Sequence, residues 1–185
     1  MTAVEFVPWP KIGRLNRDIV ITEKIDGTNA AIGILEDGTV YAQSRTRIIT
    51  PGKSTDNFGF AAWVAERAYL GDLLGAGLHY GEWWGLGIQR GYGQARKRFS
   101  LFNTARWGDA RERLAEQDIE VVPVLYEGPF SQGAIDTALE GLRDGGSYAT
   151  DGYANAEGIV VYHTATKTMF KVTLDGDEKP KGQAA

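Results

Sequence analysis

The sequence predicts an α+β fold in which antiparallel β-sheets are flanked by helices. Three observations indicate it: short β-branched strand patterns, an early hairpin signal, and helical segments that interrupt the strands irregularly. The first strand is predicted at residues 18–21 and leads to a polar turn at residues 26–29. Strands at residues 30–35 and 39–43 are joined by Glu36-Asp37-Gly38. Because Asp-Gly favours a tight hairpin turn, antiparallel pairing is expected early in the chain.

The later elements alternate between helices and strands. Apolar residues at helical spacing predict a helix over residues 58–70, with Asp56 or Asn57 as its N-cap. Further helices are predicted at residues 109–117, opened by a capping box, and at residues 131–143. Further strands are predicted at residues 78–85, 99–103, 120–126, 157–163 and 168–172. Residues 1–174 are expected to form one domain, and residues 175–185 a flexible tail.

Composition limits the class of protein. The 185 residues include no cysteine, which excludes disulfides, thiolate zinc sites and cysteine nucleophiles. The sequence has no signal-peptide pattern, and no stretch of it approaches the roughly 20 apolar residues of a membrane span. We therefore expect a cytoplasmic protein, monomeric and without membrane association.

The charge distribution bears on nucleic-acid binding. A net charge of -4 argues against binding through bulk electrostatics alone. Local basic clusters can still provide a contact surface. The densest cluster is at residues 89–98, and a second is Ser44-Arg45-Thr46-Arg47.

Four charged residues occupy unusual positions. Lys24 lies between the first strand and the polar turn, and Lys171 lies at the end of the last strand. Glu82 and Glu157 lie in or at the start of apolar strands. Each glutamate alone could be half of a satisfied ion pair. Together the four predict a site for phosphoryl chemistry, with a lysine nucleophile, a carboxylate for Mg²⁺ and a second lysine to neutralise phosphate charge.

The motifs that carry these residues resemble a known superfamily. Lys24-Ile25-Asp26-Gly27-Thr28-Asn29 resembles motif I (KxDGxx) of the covalent nucleotidyltransferases, which include ATP-dependent DNA and RNA ligases and mRNA capping enzymes. In the expected order follow Ser44-Arg45 (motif Ia), Tyr80-Gly81-Glu82 (motif III), residues 99–103 (motif IIIa), Glu157-Gly158-Ile159-Val160 (motif IV) and Phe170-Lys171-Val172 (motif V). The Gly-Thr-Asn ending of motif I and the Gly-Ile-Gln after motif III are most similar to phage and kinetoplastid nick-sealing RNA ligases. The resemblance implies the ATP-grasp-like nucleotidyltransferase domain of these ligases.

The resemblance also implies a three-step reaction on a nucleic acid. Lys24 would attack the α-phosphate of ATP and become a lysyl-AMP, with Mg²⁺ or Mn²⁺ as the metal ion. The AMP would pass to a 5′-phosphate, and a 3′-OH would then displace it and seal the strand, as in nucleic-acid repair.

The same resemblance assigns roles by position. The nucleotide would contact Glu23, Ile25, Asn29, Arg45, Glu82, Phe102 and Lys171. Nucleic acid would contact Arg47, Gln89, Arg90, Arg96, Lys97 and Arg98. Glu157 would place the metal, Glu82 would bind the ribose hydroxyls and Lys171 would contact the α-phosphate. Phe102 would stack on adenine, although Phe99 could take that role.

Three positions depart from the family pattern. Motif IIIa ends in Asn103 instead of aspartate, Tyr162 follows motif IV where ligases often have lysine, and Thr173 replaces a second lysine in motif V. We also expect no OB-fold or other C-terminal domain. These departures are compatible with formation of the adenylate. They count against the two later steps, which are transfer of AMP to the 5′-phosphate and sealing. The alternatives are a DNA ligase, a GTP-dependent capping enzyme, or a module that binds nucleic-acid ends without sealing them.

Overall fold

Two β-sheets, each covered on one face by helices, make up the computed structural model, which describes residues 4–176. The strands are β1 (Asp18–Lys24), β2 (Thr28–Ile34), β3 (Val40–Ser44), β4 (Ile48–Ile49), β5 (Gly77–Gly85), β6 (Lys97–Leu101), β7 (Ile119–Val121), β8 (Val124–Pro129), β9 (Gly158–His163) and β10 (Thr168–Thr173). The helices are α1 (Phe60–Ala65), α2 (Leu70–Leu74), α3 (Thr104–Trp107), α4 (Arg111–Ala115) and α5 (Gln132–Gly145). The predicted α+β class with antiparallel sheets and flanking helices is confirmed.

The four-stranded sheet has the order β10-β9-β1-β8, with every pair antiparallel. Side chains alternate between its faces along β1. Ile19 and Ile21 point to one face and pack with Ala138 and Leu142 of α5. Lys24, an odd number of residues from both, therefore projects from the opposite face.

The six-stranded sheet has the order β4-β3-β2-β5-β6-β7. It is antiparallel except where β7 runs parallel to β6. Ile32, Trp83 and Phe99 belong to the apolar core between this sheet and helices α1 to α4. Glu82, next to Trp83 in β5, therefore projects from the face opposite these helices.

Two predicted helices are wrong in detail. The helix predicted over residues 58–70 is two short helices, α1 and α2, because the chain turns after Ala65. Gly59 is the N-cap residue of α1, yet the Asp56 carboxylate accepts hydrogen bonds from the backbone N–H groups of Ala61 and Ala62. The capping box predicted for residues 109–112 is absent from the described chain, since Ala110 caps α4 and has no side-chain acceptor.

The strand boundaries also differ. The strand predicted at residues 99–103 is β6, which ends at Leu101. Beyond it begins α3, a helix that was not predicted. Asn103 is its N-cap residue, and the Asn103 side chain accepts a hydrogen bond from the Arg106 N–H. The strand predicted at residues 120–126 is divided between β7 and β8, which lie in different sheets. Between them Pro123, which has no N–H, accepts a hydrogen bond from the Glu23 N–H.

Two further predictions concern the chain as a whole. None of the helices within residues 4–176 is long and apolar enough to cross a membrane. Most of the predicted flexible tail, residues 177–185, lies outside the described residues. The single domain over residues 1–174 stays a prediction.

Candidate active site

Lys24 ends β1 and forms an ion pair with Glu157. The pair depends on strand register, because Lys24 lies opposite Gly158, the residue that follows Glu157 and begins β9. Glu157 is buried, whereas the Lys24 side chain keeps 22% of its surface exposed. The structure thus brings together the predicted nucleophile and the predicted metal-binding carboxylate.

Glu82 brings the six-stranded sheet into the same site. Its carboxylate accepts hydrogen bonds from the Gly27 N–H at 3.1 Å and from the Asn29 side-chain amide at 3.4 Å. Burial raises the pKa of Glu82 to about 8; the positive charge of Lys24 opposes this rise, and the charges of Glu157 and Asp26 add to it. These four titratable groups therefore form one electrostatic cluster between the two sheets.

The turn after Lys24 is held by the β5–β6 loop, residues 86–96. The Asp26 N–H donates a hydrogen bond to the Tyr92 hydroxyl at 3.0 Å. The Asp26 carboxylate accepts one from Arg90 at 3.2 Å. The sequence did not suggest this role for Tyr92, which is fully buried although it lies within the basic cluster.

Glu23 faces away from this cluster. Its buried carboxylate accepts hydrogen bonds from the Ser147 hydroxyl and from the Tyr148 and Ala149 N–H groups. Its own N–H donates to the Pro123 carbonyl and is therefore not available to a nucleotide, and the predicted nucleotide contact of Glu23 stays a prediction. Ile25 is buried against Trp84 and neighbouring apolar residues, and its predicted backbone contact with the nucleotide stays a prediction.

Phe99 and Phe102, the two candidates for stacking on adenine, lie on opposite faces of the six-stranded sheet because side chains alternate between its faces. Phe99 is fully buried in the apolar core, which excludes it as a stacking surface in this conformation. The Phe102 N–H bonds to the Tyr80 carbonyl just beyond β6, and alternation places Phe102 on the Glu82 face of the sheet. Phe102 and Tyr80 are 38% and 56% exposed, so an aromatic surface borders the cluster. Tyr80 was not among the predicted nucleotide-binding residues, yet it lies on the same face of the sheet as Phe102.

Lys171 lies on the same face of the four-stranded sheet as Lys24. β10 places it opposite Val160, which in turn lies opposite Thr22 of β1. Lys171 is exposed and has no hydrogen-bond or ion-pair partner among residues 4–176. Thr173 is aligned with Lys24 across Gly158. Motif V therefore lies on the same sheet face as the nucleophile, with β9 between the two strands, and the contact of Lys171 with the α-phosphate stays a prediction.

The predicted basic surface is largely neutralised in the structure. Arg96 pairs with Asp118 at 2.8 Å, Arg98 pairs with Glu120, and Lys97 donates to the Phe58 carbonyl at 2.6 Å. Arg90 is bonded to Asp26 and Asn155, which argues against its predicted role as a nucleic-acid contact. Arg45, Arg47 and Gln89 are exposed, and their predicted contacts stay predictions.

Two facing sheets that bring a strand-end lysine together with two buried glutamates define a domain of the covalent nucleotidyltransferase type. The chain belongs to the RNA ligase family, whose family model matches residues 17–173. This membership agrees with the resemblance of motifs I to V.

Solved structures of Naegleria gruberi RNA ligase share the fold. A mutant with ATP and Mn aligns with a TM-score of 0.65 and 18% identity over 87% of this chain and 51% of that chain. A second mutant with ATP and Mn aligns at 0.62 and 18% identity, covering 85% and 49%. A mutant with AMP and Mn aligns at 0.61 and 19% identity, covering 86% and 50%. The chain thus spans about half the length of these proteins. Among curated proteins, none matches the sequence.

Proposed function

We propose that the chain is an ATP-dependent RNA ligase that forms a lysyl-AMP on Lys24. The observation that carries this proposal is the contact between Lys24 and Glu157 beside the buried Glu82. Membership of the RNA ligase family supports it. The Naegleria relatives were solved with ATP or AMP and Mn, which supports ATP and a divalent cation for this chain as well.

The first step would be attack of the Lys24 Nζ on the α-phosphorus of ATP. The N–P bond forms as the P–O bond to the β-phosphate breaks, and pyrophosphate leaves. The lysine ammonium loses two protons in total, one before attack and one as the phosphoramidate forms. Glu157 accepts a hydrogen bond from Nζ, so its carboxylate is in contact with the atom that must lose these protons.

The protein's carboxylates fit a metal ion that is held mainly by substrate. Within residues 4–176 no group of three or more His, Cys, Asp or Glu side chains could hold a metal ion. Mg²⁺ is usually bound by one or two carboxylates together with substrate phosphates, so Glu157 would suffice as the protein ligand. When bound, Mg²⁺ or Mn²⁺ would neutralise negative charge on the phosphates.

The surrounding residues would orient the nucleotide. Glu82 would accept hydrogen bonds from the ribose hydroxyls, and Phe102 would stack on adenine. Lys171, exposed on the Lys24 face, would neutralise charge at the α-phosphate. Asn29 and Arg45 would contribute further polar contacts to the nucleotide.

In the later steps, the AMP would move to a 5′-phosphate and a 3′-OH would displace it, sealing RNA ends in repair. The exposed Arg47 after β3 is the cationic side chain we assign to the RNA backbone. A monomeric, cytoplasmic protein is part of the proposal.

The decisive experiment is intact-protein mass spectrometry after incubation with ATP and Mg²⁺ or Mn²⁺. Wild type should gain the mass of one adenylyl group, and Lys24→Ala should not. Lys53→Ala, which changes an exposed lysine outside the site, is the matched control and should label like wild type. An adduct that persists in Lys24→Ala would reject the proposal, as would the absence of an adduct in wild type.

Substrate comparison then separates the alternatives. Sealing of a nick with RNA at the 3′-OH side, but not with DNA there, supports an RNA ligase; the reverse supports a DNA ligase. Labelling by GTP instead of ATP would indicate a capping enzyme. Binding of nicked duplex with no adenylylation would indicate an end-binding module.

A further inference from the structure

Arg90 connects two segments that border Lys24 from different parts of the chain. Its Nε donates a hydrogen bond to the Asp26 carboxylate at 3.2 Å. One terminal nitrogen donates to the Asn155 side-chain oxygen at 2.8 Å, to the Asn155 carbonyl at 3.1 Å and to the Ala156 carbonyl at 3.2 Å. Arg90 therefore links the turn that follows Lys24 to the segment that precedes Glu157.

The position of Arg90 is itself fixed by its neighbours. The Tyr153 hydroxyl donates to the Arg90 carbonyl, and the Tyr153 ring stacks on that of Tyr92 at 4.5 Å between centroids. Gln89 and Tyr92 adopt positive φ angles of 47° and 50°, which side-chain-bearing residues rarely adopt. Such strained backbone persists only where surrounding contacts determine it. The loop is thus built to hold one geometry.

These contacts place Arg90 where it controls distances within the site. Asp26 lies two residues after Lys24, and Ala156 directly precedes Glu157. One planar guanidinium bonded to both segments fixes how far apart they lie, which a flexible ammonium could not do equally well. Arg90 also forms an ion pair with Asp26. Its positive charge therefore offsets part of the negative charge that Asp26 adds near Glu82 and Glu157.

The same geometry argues against a direct contact between Arg90 and RNA. Its side chain is only 23% exposed, and the Nε and one terminal nitrogen already have protein acceptors. Arginine frequently binds phosphate through two adjacent guanidinium nitrogens, and each such pair here includes a nitrogen that is bonded to protein.

We propose that Arg90 is a positioning residue that holds the Asp26 turn and the Glu157 segment in register for adenylylation of Lys24. This inference rests on the proposed function. Arg90 acts through Asp26 and Asn155, and it binds neither ATP nor RNA.

The test compares Arg90→Gln and Arg90→Lys with Arg113→Gln, which changes an exposed arginine of α4 that has no proposed role. Arg90→Gln should lower the maximal single-turnover rate of adenylylation at least about tenfold and raise the metal concentration needed for half-maximal rate. The ATP concentration for half-maximal rate should change little. Arg90→Lys should fall between wild type and Arg90→Gln, and Arg113→Gln should match wild type.

Binding of nicked RNA separates positioning from direct contact. If Arg90 only positions other groups, Arg90→Gln leaves RNA affinity and its salt dependence unchanged. Loss of a phosphate contact would instead reduce the slope of log affinity against log salt by about one. That result would overturn the proposal, and so would a wild-type adenylylation rate in Arg90→Gln.

A measurement without catalysis keeps the two proposals distinguishable. Hydrogen–deuterium exchange should increase in residues 25–28 and 155–158 of Arg90→Gln and stay unchanged in the remaining strands of both sheets. If wild type forms no adenylate, the proposed function fails, and exchange still decides the role of Arg90. If Arg90→Gln does not fold, Asn155→Ala can replace it, because this change removes only the side-chain acceptor of Arg90. Exchange in residues 25–28 and 155–158 should then increase, but less than in Arg90→Gln. Unchanged exchange in these two segments would overturn the proposal.

Discussion

The Nζ of Lys24 donates a hydrogen bond to the carboxylate of Glu157, which lies 133 residues further along the chain. The pairing of β1 with β9 sets this contact, because it places Lys24 opposite Gly158. A nucleophile held by strand register varies little in position, whereas a lysine on a loop would have to be ordered at each turnover.

Removal of the Glu157 charge should impair adenylylation more than folding. Glu157→Gln keeps the size of the side chain but removes the negative partner of Lys24 and the proposed metal ligand. We expect the single-turnover rate to fall about 100-fold or more, with folding preserved. Rapid-quench labelling with ATP measures the rate, and Glu127→Gln, at an exposed position of β8, is the control. A wild-type rate in Glu157→Gln would contradict the assignment.

The buried Glu82 should make stability depend on pH. Burial raises its pKa from 4.5 to about 8, so the folded state binds an extra proton between these values. The stability from this proton is fully present below about pH 4.5 and is lost as the pH rises through about 8. Urea unfolding of wild type and Glu82→Gln from pH 5 to pH 9 measures the effect.

Glu82→Gln should lose less stability than wild type over that interval. Burial also raises the pKa values of Glu23 and Glu120, and both residues are present in the two proteins. The effect of Glu82 is therefore the difference in unfolding free energy between wild type and Glu82→Gln. If the unfolding free energies of the two proteins fall in parallel as the pH rises, Glu82 does not bind the extra proton in the folded state.

Glu23 should matter for stability and not directly for chemistry. Glu23→Ala removes the acceptor of the Ser147 hydroxyl and the Tyr148 N–H, whereas the Ala149 N–H keeps the Ser147 oxygen. We expect a loss of about 1–3 kcal/mol in the free energy of unfolding, measured with urea. Glu36→Ala, in the exposed hairpin turn, should change it little. Loss of adenylylation in folded, stable Glu23→Ala would instead assign this side chain to the site.

Gly27 is required where the turn approaches β5. A Cβ atom there would lie 2.5 Å from the Trp83 carbonyl oxygen and 2.7 Å from the Trp84 Cβ. Because the first of these is backbone, the strand cannot relax cheaply, and Gly27→Ala should cost about 1–3 kcal/mol of stability. Adenylylation should also fall, since the Gly27 N–H bonds to Glu82. Gly108→Ala, whose Cβ would meet nothing within 4 Å, is the control for thermal unfolding.

The two phenylalanines near motif IIIa should separate stability from nucleotide binding. Phe99→Ala empties part of the core and should cost about 3–5 kcal/mol. Phe102→Ala should cost about 1 kcal/mol or less, yet raise the ATP concentration for half-maximal adenylylation. Urea unfolding and labelling kinetics on both variants check this, and unchanged ATP dependence in Phe102→Ala would remove adenine stacking from its roles.

Much of the fold could be predicted because β-branched and aromatic residues favour strands. Runs of such residues indicated β1, β5 and β9, and the Asp-Gly turn indicated the β2–β3 hairpin. The division of the predicted strand at residues 120–126 between two sheets could not be predicted. That division depends on which neighbour each half meets, and local patterns carry no such information.

Motifs in a fixed order pointed to the candidate site residues: Lys24 in motif I, and Glu82, Glu157 and Lys171 in the later motifs. Their arrangement in space follows from strand pairing that the motifs do not encode. Arg90 could be interpreted as a basic surface residue until its contacts with Asp26 and Asn155 were known. The physical reason is that a cation's role depends on whether folding supplies it with acceptors, and these acceptors are 64 and 65 residues distant in the chain.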